Sequence, residues 1–316
     1  MLKKKKFWII LVSIILVIVL GVSAFAGNYL VNYALAVDEN KRIGSMSEDY
    51  TGIQDTVAQK EYDDWVKTID VKTWDLKNQE GLALKGYFYP AQSETHTYVL
   101  AVHGYTVDHR DIAPAIKPFV EKGYHVLTPD QRGRGESEGD FLSMGWREKN
   151  DVLEWIDKII KYDAQAEIIL YGESMGAATI MMACGEKLPA QVKLAIEDCG
   201  YTSAYAMFKD QLKERFGLPE IPFLPAAQLV GQLRYGFNFG DASAINQLKK
   251  ATLPILFIHG NDDDYVPTYM GKELYESYKG EKQLLLVDGA GHGLSADVNP
   301  KLYYDTVFDF ITKYKK

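Results

Sequence analysis

The sequence predicts an α/β fold: a mostly parallel eight-stranded sheet with helices on both faces and a small helical cap, preceded by one N-terminal transmembrane helix. Three observations predict it. Short β-rich apolar runs at 71–76, 82–89, 98–103, 124–129, 167–171, 194–197, 255–259 and 283–287 read as strands, and helical runs at 112–122, 148–160, 177–187, 269–278 and 302–314 fall between the later ones. Those later strands are continuously apolar, which is the pattern of strands buried on both faces of a parallel sheet. Finally, residues 7–26 carry no charge and consist of little beyond Ile, Leu and Val.

Taken in order, the chain opens with a basic tip, Lys3 to Lys6, ahead of the apolar run. At 1.5 Å per residue the run spans about 30 Å, the thickness of a bilayer's hydrocarbon core. Lysines before it and Asp38 and Glu39 after it orient the bulk of the chain outside the cell by the positive-inside rule. The expectation is a single-pass signal anchor at 1–26 in the cell membrane with an extracytoplasmic body. Ala24-Phe25-Ala26 resembles a cleavage site, so a secreted form cut after Ala26 is the competing expectation. No cysteine lies near the segment to carry a lipoprotein anchor. Residues 27–70 show no strand alternation, only amphipathic stretches at 29–37 and 57–66, and read as a helical juxtamembrane stalk. The body then runs from 71 to 316. Its first two strands join through Asn78-Gln79-Glu80-Gly81 as a hairpin.

Composition bounds the partners. The chain is 47% hydrophobic and 25% charged, enough for one large core. With Lys3 to Lys6 set aside, 31 of the 35 Lys and Arg remain against 43 Asp and Glu, a balance of −12. So acidic a surface disfavours nucleic acid, and leaves attachment to anionic lipid to the anchor alone. Two cysteines, Cys184 and Cys199, are too few for a disulfide framework and read as buried thiols, with a single bridge between them as the alternative outside the cell. The sequence has no dinucleotide fingerprint or P-loop, and no cofactor is expected. Asp262-Asp263-Asp264 lacks the glycine and distal glutamate of a calcium loop, and no paired-histidine zinc spacing occurs, so no metal is expected.

The chemistry begins at Gly172-Glu173-Ser174-Met175-Gly176, which lies directly behind the strand at 167–171 and directly ahead of an apolar run of helical character. A serine on a strand-turn-helix elbow is held in strained geometry with its hydroxyl exposed, and glycine on either side lets strand and helix approach closely. Ser174 is therefore the candidate nucleophile. In a parallel sheet its partners belong at the carboxyl ends of strands. Three loops meet that condition: His103-Gly104-Tyr105, the stretch from His259 to Pro267, and Asp288-Gly289-Ala290-Gly291-His292-Gly293. Of six histidines, His96 and His109 lie in polar loops, His125 in a strand, and His103 and His259 precede glycine, where a structural hydrogen bond is expected. His292 alone occupies a glycine-rich loop suited to a base. For the acid, Asp263 competes with Asp264 beside it and with Glu197 or Asp198 at another strand end. Glu173 reads as a structural or surface residue.

From residue 71 to the C-terminus these motifs resemble the α/β-hydrolase superfamily, in particular its bacterial carboxylesterases, monoacylglycerol lipases and serine aminopeptidase-like members. The family's histidine-glycine matches His103-Gly104; its aspartate-x-arginine-glycine-x-glycine-x-serine loop matches Asp130 to Ser137, with Arg134 where histidine is common. The resemblance implies Ser174, Asp263 and His292 as a catalytic triad, and the backbone amides of Met175 and Tyr105 as the oxyanion hole. It implies acyl-ester hydrolysis, with a small-molecule or lipid-like ester as substrate. The alternatives are an aminopeptidase or dipeptidyl-peptidase-like activity, which needs a carboxylate such as Glu173, Glu197 or Asp198 to hold a substrate amine, and a non-catalytic binding protein on the same fold. The intact Ser174, Asp263 and His292 set argues against the last. Substrate choice is expected in the cap at 201–244, rich in apolar residues from Phe208 to Phe239, which either line an acyl pocket or pack the cap onto the sheet.

Overall fold

The computed structural model describes residues 2–37, 62 and 64–315. Eight strands, β1 (Lys72–Lys77), β2 (Ala83–Tyr89), β3 (Thr97–Val102), β4 (His125–Pro129), β5 (Glu167–Glu173), β6 (Val192–Asp198), β7 (Ile255–Gly260) and β8 (Lys282–Val287), form one sheet in the order β1-β2-β4-β3-β5-β6-β7-β8. The hairpin β1-β2 is antiparallel and β2 pairs antiparallel with β4; every later pairing is parallel. The helices are α1 (Leu2–Ala34), α2 (His109–Glu121), α3 (Glu148–Tyr162), α4 (Met175–Cys184), α5 (Ala204–Phe216), α6 (Glu220–Tyr235), α7 (Ala244–Leu248), α8 (Thr268–Ser277), α9 (Ser295–Val298) and α10 (Pro300–Tyr314).

The strand composition explains the layers. Side chains alternate across a strand, so a strand covered on both faces is apolar at every position. In β3, Leu100 and Val102 join one core with Trp155 of α3 and Met181 of α4, while Val99 and Ala101 join the other with Phe119 of α2 and Phe310 of α10. Each fully buried Leu, Ile or Phe contributes roughly 2 kcal/mol by area removed from water. The sheet thus forms a fixed platform whose carboxyl edge carries the loops of interest.

The boundary at residue 26 falls inside α1, which continues unbroken to Ala34. Its last turns bury Val31 and Leu35 in the core shared with the cap helix α6. Backbone bonds then stitch the chain to the body: Leu142 donates to the Leu35 carbonyl at 2.8 Å and Val37 to the Asp140 carbonyl at 3.0 Å. Residues 27–37 are therefore docked on the body. Most of the amphipathic stretch at 57–66 lies outside the described residues. In the cap, α5 and α6 lie between β6 and β7; Leu224, Phe237 and Phe239 are buried, whereas Ile221, Leu229 and Leu233 are exposed. Cys184 and Cys199 are buried free thiols.

Candidate active site

The elbow between β5 and α4 is dictated by sterics. Ser174 sits at φ 54°, ψ −116°, a left-handed conformation that a side chain adopts only under constraint. A Cβ on Gly172 would lie 2.5 Å from the Gly176 carbonyl oxygen, and one on Gly176 would lie 1.9 Å from that of Val102. Both positions admit glycine alone, and the turn they permit projects the serine hydroxyl above the sheet.

Two hydrogen bonds meet that hydroxyl and its partner. The Ser174 hydroxyl and His292 Nε2 are 2.8 Å apart, and His292 Nδ1 is 2.8 Å from Asp263 Oδ2. With Nδ1 donating to the carboxylate, Nε2 is left to accept from the serine. The other oxygen of Asp263 accepts from the Tyr265 and Val266 amides at 3.0 and 2.9 Å. Burial opposes ionisation of this carboxyl, but the hydrogen bonds from His259 and His292 outweigh it and hold its pKa down at about 2. Asp262 and Asp264, beside it, are exposed. The structure thus brings Ser174, His292 and Asp263 together and leaves the neighbouring aspartates in solvent.

Glu197 and Asp198 lie at the end of β6 but make different contacts. Asp198 accepts from the Tyr303 hydroxyl at 2.9 Å, and Glu197 from the Gly200 amide at 3.0 Å. Burial pushes them up to about 6 and about 8 respectively. Glu173, half-buried, accepts from the Tyr171 hydroxyl at 2.5 Å; burial, then the nearby Asp198 charge, push it to about 8. The sequence offered these carboxylates singly but not the tyrosines that link them, because Tyr171 and Tyr303 are 132 residues apart and meet, hydroxyl to hydroxyl at 3.0 Å, only across the folded sheet.

The two expected amide donors flank the serine. Met175 opens α4, so its amide is among those of the first turn that have no intrahelical acceptor. The loop carrying Tyr105 passes close by: a Cβ on Gly104 would lie 3.4 Å from that of Ser174. Neither amide donates a hydrogen bond among the described residues. His103 anchors this loop to the next, with Nδ1 bonded to its neighbour's carbonyl at 2.9 Å and Nε2 accepting from the Gln131 amide at 2.9 Å. Arg134 is almost wholly buried and donates to the carbonyls of Thr106 and Val107, clamping the chain directly after Tyr105. Arg132, in the same motif, forms a buried two-pronged ion pair with Asp151 at 2.7 and 2.8 Å. His259 behaves as a structural residue, its Nε2 lying 2.9 Å from the Val266 carbonyl and 3.3 Å from Asp263.

Among the described residues, two groups of side chains have ligand atoms close enough together for a metal: Cys199 with Asp263 and His292, and Asp108 with His109 and Asp130. In the first, both ring nitrogens of His292 are engaged by Ser174 and Asp263, and burial holds the Cys199 thiol protonated. In the second, Asp130 accepts from His109 and the Glu136 amide, and Asp108 caps α2. Neither donor set is free to turn toward an ion.

This fold and arrangement place the chain in a known class: it belongs to the α/β-hydrolase superfamily and is a hydrolase. The family model of the serine aminopeptidases, S33, matches residues 93–201. The chain is 31% identical over 232 residues to the uncharacterized protein YqkD of Bacillus subtilis, a match covering 73% of this chain and 76% of that one. It is 28% identical over 211 residues to the lysophosphatidylserine lipase ABHD12 of Danio rerio, covering 60% of this chain and 49% of the relative. Among solved structures, the Pyrococcus furiosus esterase Pf2001 superposes with a TM-score of 0.66 at 20% identity, over 90% of this chain and all of that one, a likeness of fold.

Proposed function

We propose that the protein is a membrane-anchored serine hydrolase that cleaves acyl esters through an acyl-enzyme, with Ser174 as nucleophile, His292 as base and Asp263 as orienting acid. The observation that carries this reading is the continuous chain of short hydrogen bonds from the Ser174 hydroxyl through His292 to Asp263. As the serine oxygen attacks the ester carbonyl carbon, its proton passes to His292 Nε2, and Asp263 stabilises the resulting cation. The carbonyl π electrons move to oxygen, where the Met175 and Tyr105 amides donate to the developing charge. Collapse breaks the bond to the alcohol, which leaves with the proton from His292. Water, deprotonated by the same imidazole, then releases the acid and restores the serine.

An ester is favoured over a peptide by Glu173. A peptidase that reads a free amino terminus needs an ionised carboxylate near the nucleophile, and Glu173 is the group beside it. Burial and the nearby Asp198 charge raise its pKa to about 8 against the hydrogen bond from Tyr171, which favours the charged form, and that bond already occupies one of its oxygens, so the carboxyl is poorly suited to hold a substrate amine. The similarity to a lysophosphatidylserine lipase and an esterase supports the same choice. Residues 4–34 form a helix whose most apolar 18-residue window has mean hydropathy 3.1, long and apolar enough to cross a membrane, and a signal sequence meets the same test. Its docking on the body supports an uncleaved anchor, because cleavage after Ala26 would sever a continuous helix. The experiment is fluorophosphonate labelling of the full chain in detergent, followed by mapping of the modified peptide. Labelling at Ser174 supports the reading; an unlabelled protein, or one labelled elsewhere, overturns it.

A further inference from the structure

The last turns of α1 touch both halves of the catalytic machinery. On one side, the Tyr105 hydroxyl donates to the Ala34 carbonyl at 2.6 Å. Ala34 ends the helix, so its carbonyl lacks an intrahelical donor, and Tyr105 supplies one. Tyr105 is also the residue whose amide is assigned to the oxyanion. On the other side, Arg215 of α5 donates to the Tyr33 hydroxyl at 3.3 Å and lies 5.4 Å over the ring of Tyr265. The Tyr265 ring is 4.9 Å from that of His292, and its amide donates to Asp263.

The helix is held there by close packing. A Cβ on Gly27 would lie 2.7 Å from the Ala226 carbonyl carbon of α6, so the two helices approach to a distance that only glycine allows. Arg234 of α6 donates to Asn28 and Asn32 at 3.1 and 2.6 Å, and the Tyr29 and Tyr33 rings contact Phe216 edge-on. Six residues earlier, Gly21 has nothing within 4 Å of such a Cβ. The same helix is therefore open around Gly21 and fixed where it meets the cap. Tyr33 lies about 10 Å along the helix beyond Ala26, the end of the apolar run.

We propose that the C-terminal turns of α1 position the catalytic site, setting the Tyr105 loop through the Ala34 carbonyl and bordering His292 through Tyr33, Arg215 and Tyr265. The N-terminal helix is then a wall of the active site as well as a tether. Tyr105 acts as a positioning residue through its hydroxyl, which touches no reacting atom. The inference rests on the serine-hydrolase reading, and the test separates the two.

The matched glycines supply the experiment. Full-length protein in detergent micelles is compared with Tyr105→Phe, Gly27→Leu and Gly21→Leu, measuring kcat and KM for a p-nitrophenyl ester, the fluorophosphonate labelling rate and thermal unfolding. Tyr105→Phe is expected to lower kcat and labelling about fivefold, the rate equivalent of one hydrogen bond, with KM and the unfolding temperature nearly unchanged. Gly27→Leu is expected to lower kcat about tenfold by forcing the helices apart, while Gly21→Leu turns over at the wild-type rate. Should Gly27→Leu fail to fold, Tyr105→Phe decides alone. Wild-type kcat in Tyr105→Phe, or equal losses in the two glycine variants, overturns the proposal while leaving the hydrolase intact. Absence of labelling in the wild type overturns both.

Discussion

The elbow at Ser174 and the cap at 201–244 lie on the same edge of the sheet and are built on opposite principles. At the elbow, backbone alone excludes a side chain: a Cβ on Gly172 would meet the Gly176 carbonyl four positions on, and one on Gly176 would meet the Val102 and His103 carbonyls at the end of the neighbouring strand. In the cap, α5 and α6 take their places from side chains: Phe216 and Arg234 meet α1, Phe237 and Phe239 pack just beyond the end of α6, and Arg215 lies over Tyr265. The contrast teaches that the place of Ser174 is fixed by backbone sterics that admit no side chain at the flanking glycines, whereas the place of the cap is fixed by side-chain packing. Substitutions at the elbow should be severe and substitutions on the outer cap mild.

Ser174→Ala should show the largest effect, a loss on the order of a millionfold in kcat for an activated ester, because no other hydroxyl occupies the elbow. Next comes Asp263→Asn, with a loss of about 10⁴-fold by the wrong imidazole tautomer, measured beside Asp262→Asn and Asp264→Asn. Those two, exposed in the same loop, should retain turnover within a few-fold. Equal losses at all three would remove the distinction. Gly176→Ala, whose Cβ would overlap the Val102 carbonyl, should destabilise by about 3 kcal/mol in urea unfolding. Near-normal stability would show that the elbow is looser than its geometry.

Acid–base behaviour sharpens the comparison further. Glu197 is fully buried, and burial raises its pKa from 4.5 to about 8. An acid whose folded pKa is raised binds its proton more tightly in the native state, so its contribution is fully present below pH 4.5 and is lost as pH climbs toward 8. Glu197→Gln should therefore flatten the decline in stability between pH 4.5 and 8, read from urea midpoints across that range. Asp263 has the opposite sign: its folded pKa is depressed, and its contribution is lost only as pH falls from 3.8 toward 2. The smallest effects belong to Leu229→Ser and Leu233→Ser on the outer cap. Both side chains are exposed, and stability should change by less than about 0.5 kcal/mol.

The same division governs what was legible in the sequence. Strand positions, the elbow and the His292 loop could be read because apolar periodicity and glycine spacing are short-range signals. Asp263 could be separated from its neighbours only by the fold, since the three aspartates differ in which one the chain turns inward to meet His292. The pairing of Tyr171 with Tyr303, the grip of Arg134 on Thr106 and Val107, and the docking of α1 on the cap had no local signature. Each depends on residues that meet only after the sheet and its covering helices have assembled. The helix itself continues past the apolar run, which ends at Ala26, and there α6 and the 140–142 segment offer it a surface.

The most direct test of the central claim is turnover of a panel of short and medium acyl p-nitrophenyl esters beside amino-acid p-nitroanilides, by the full chain and by Ser174→Ala. The account predicts ester hydrolysis that vanishes in the variant and little anilide cleavage. Anilide turnover without ester turnover, or ester turnover that survives Ser174→Ala, would contradict it.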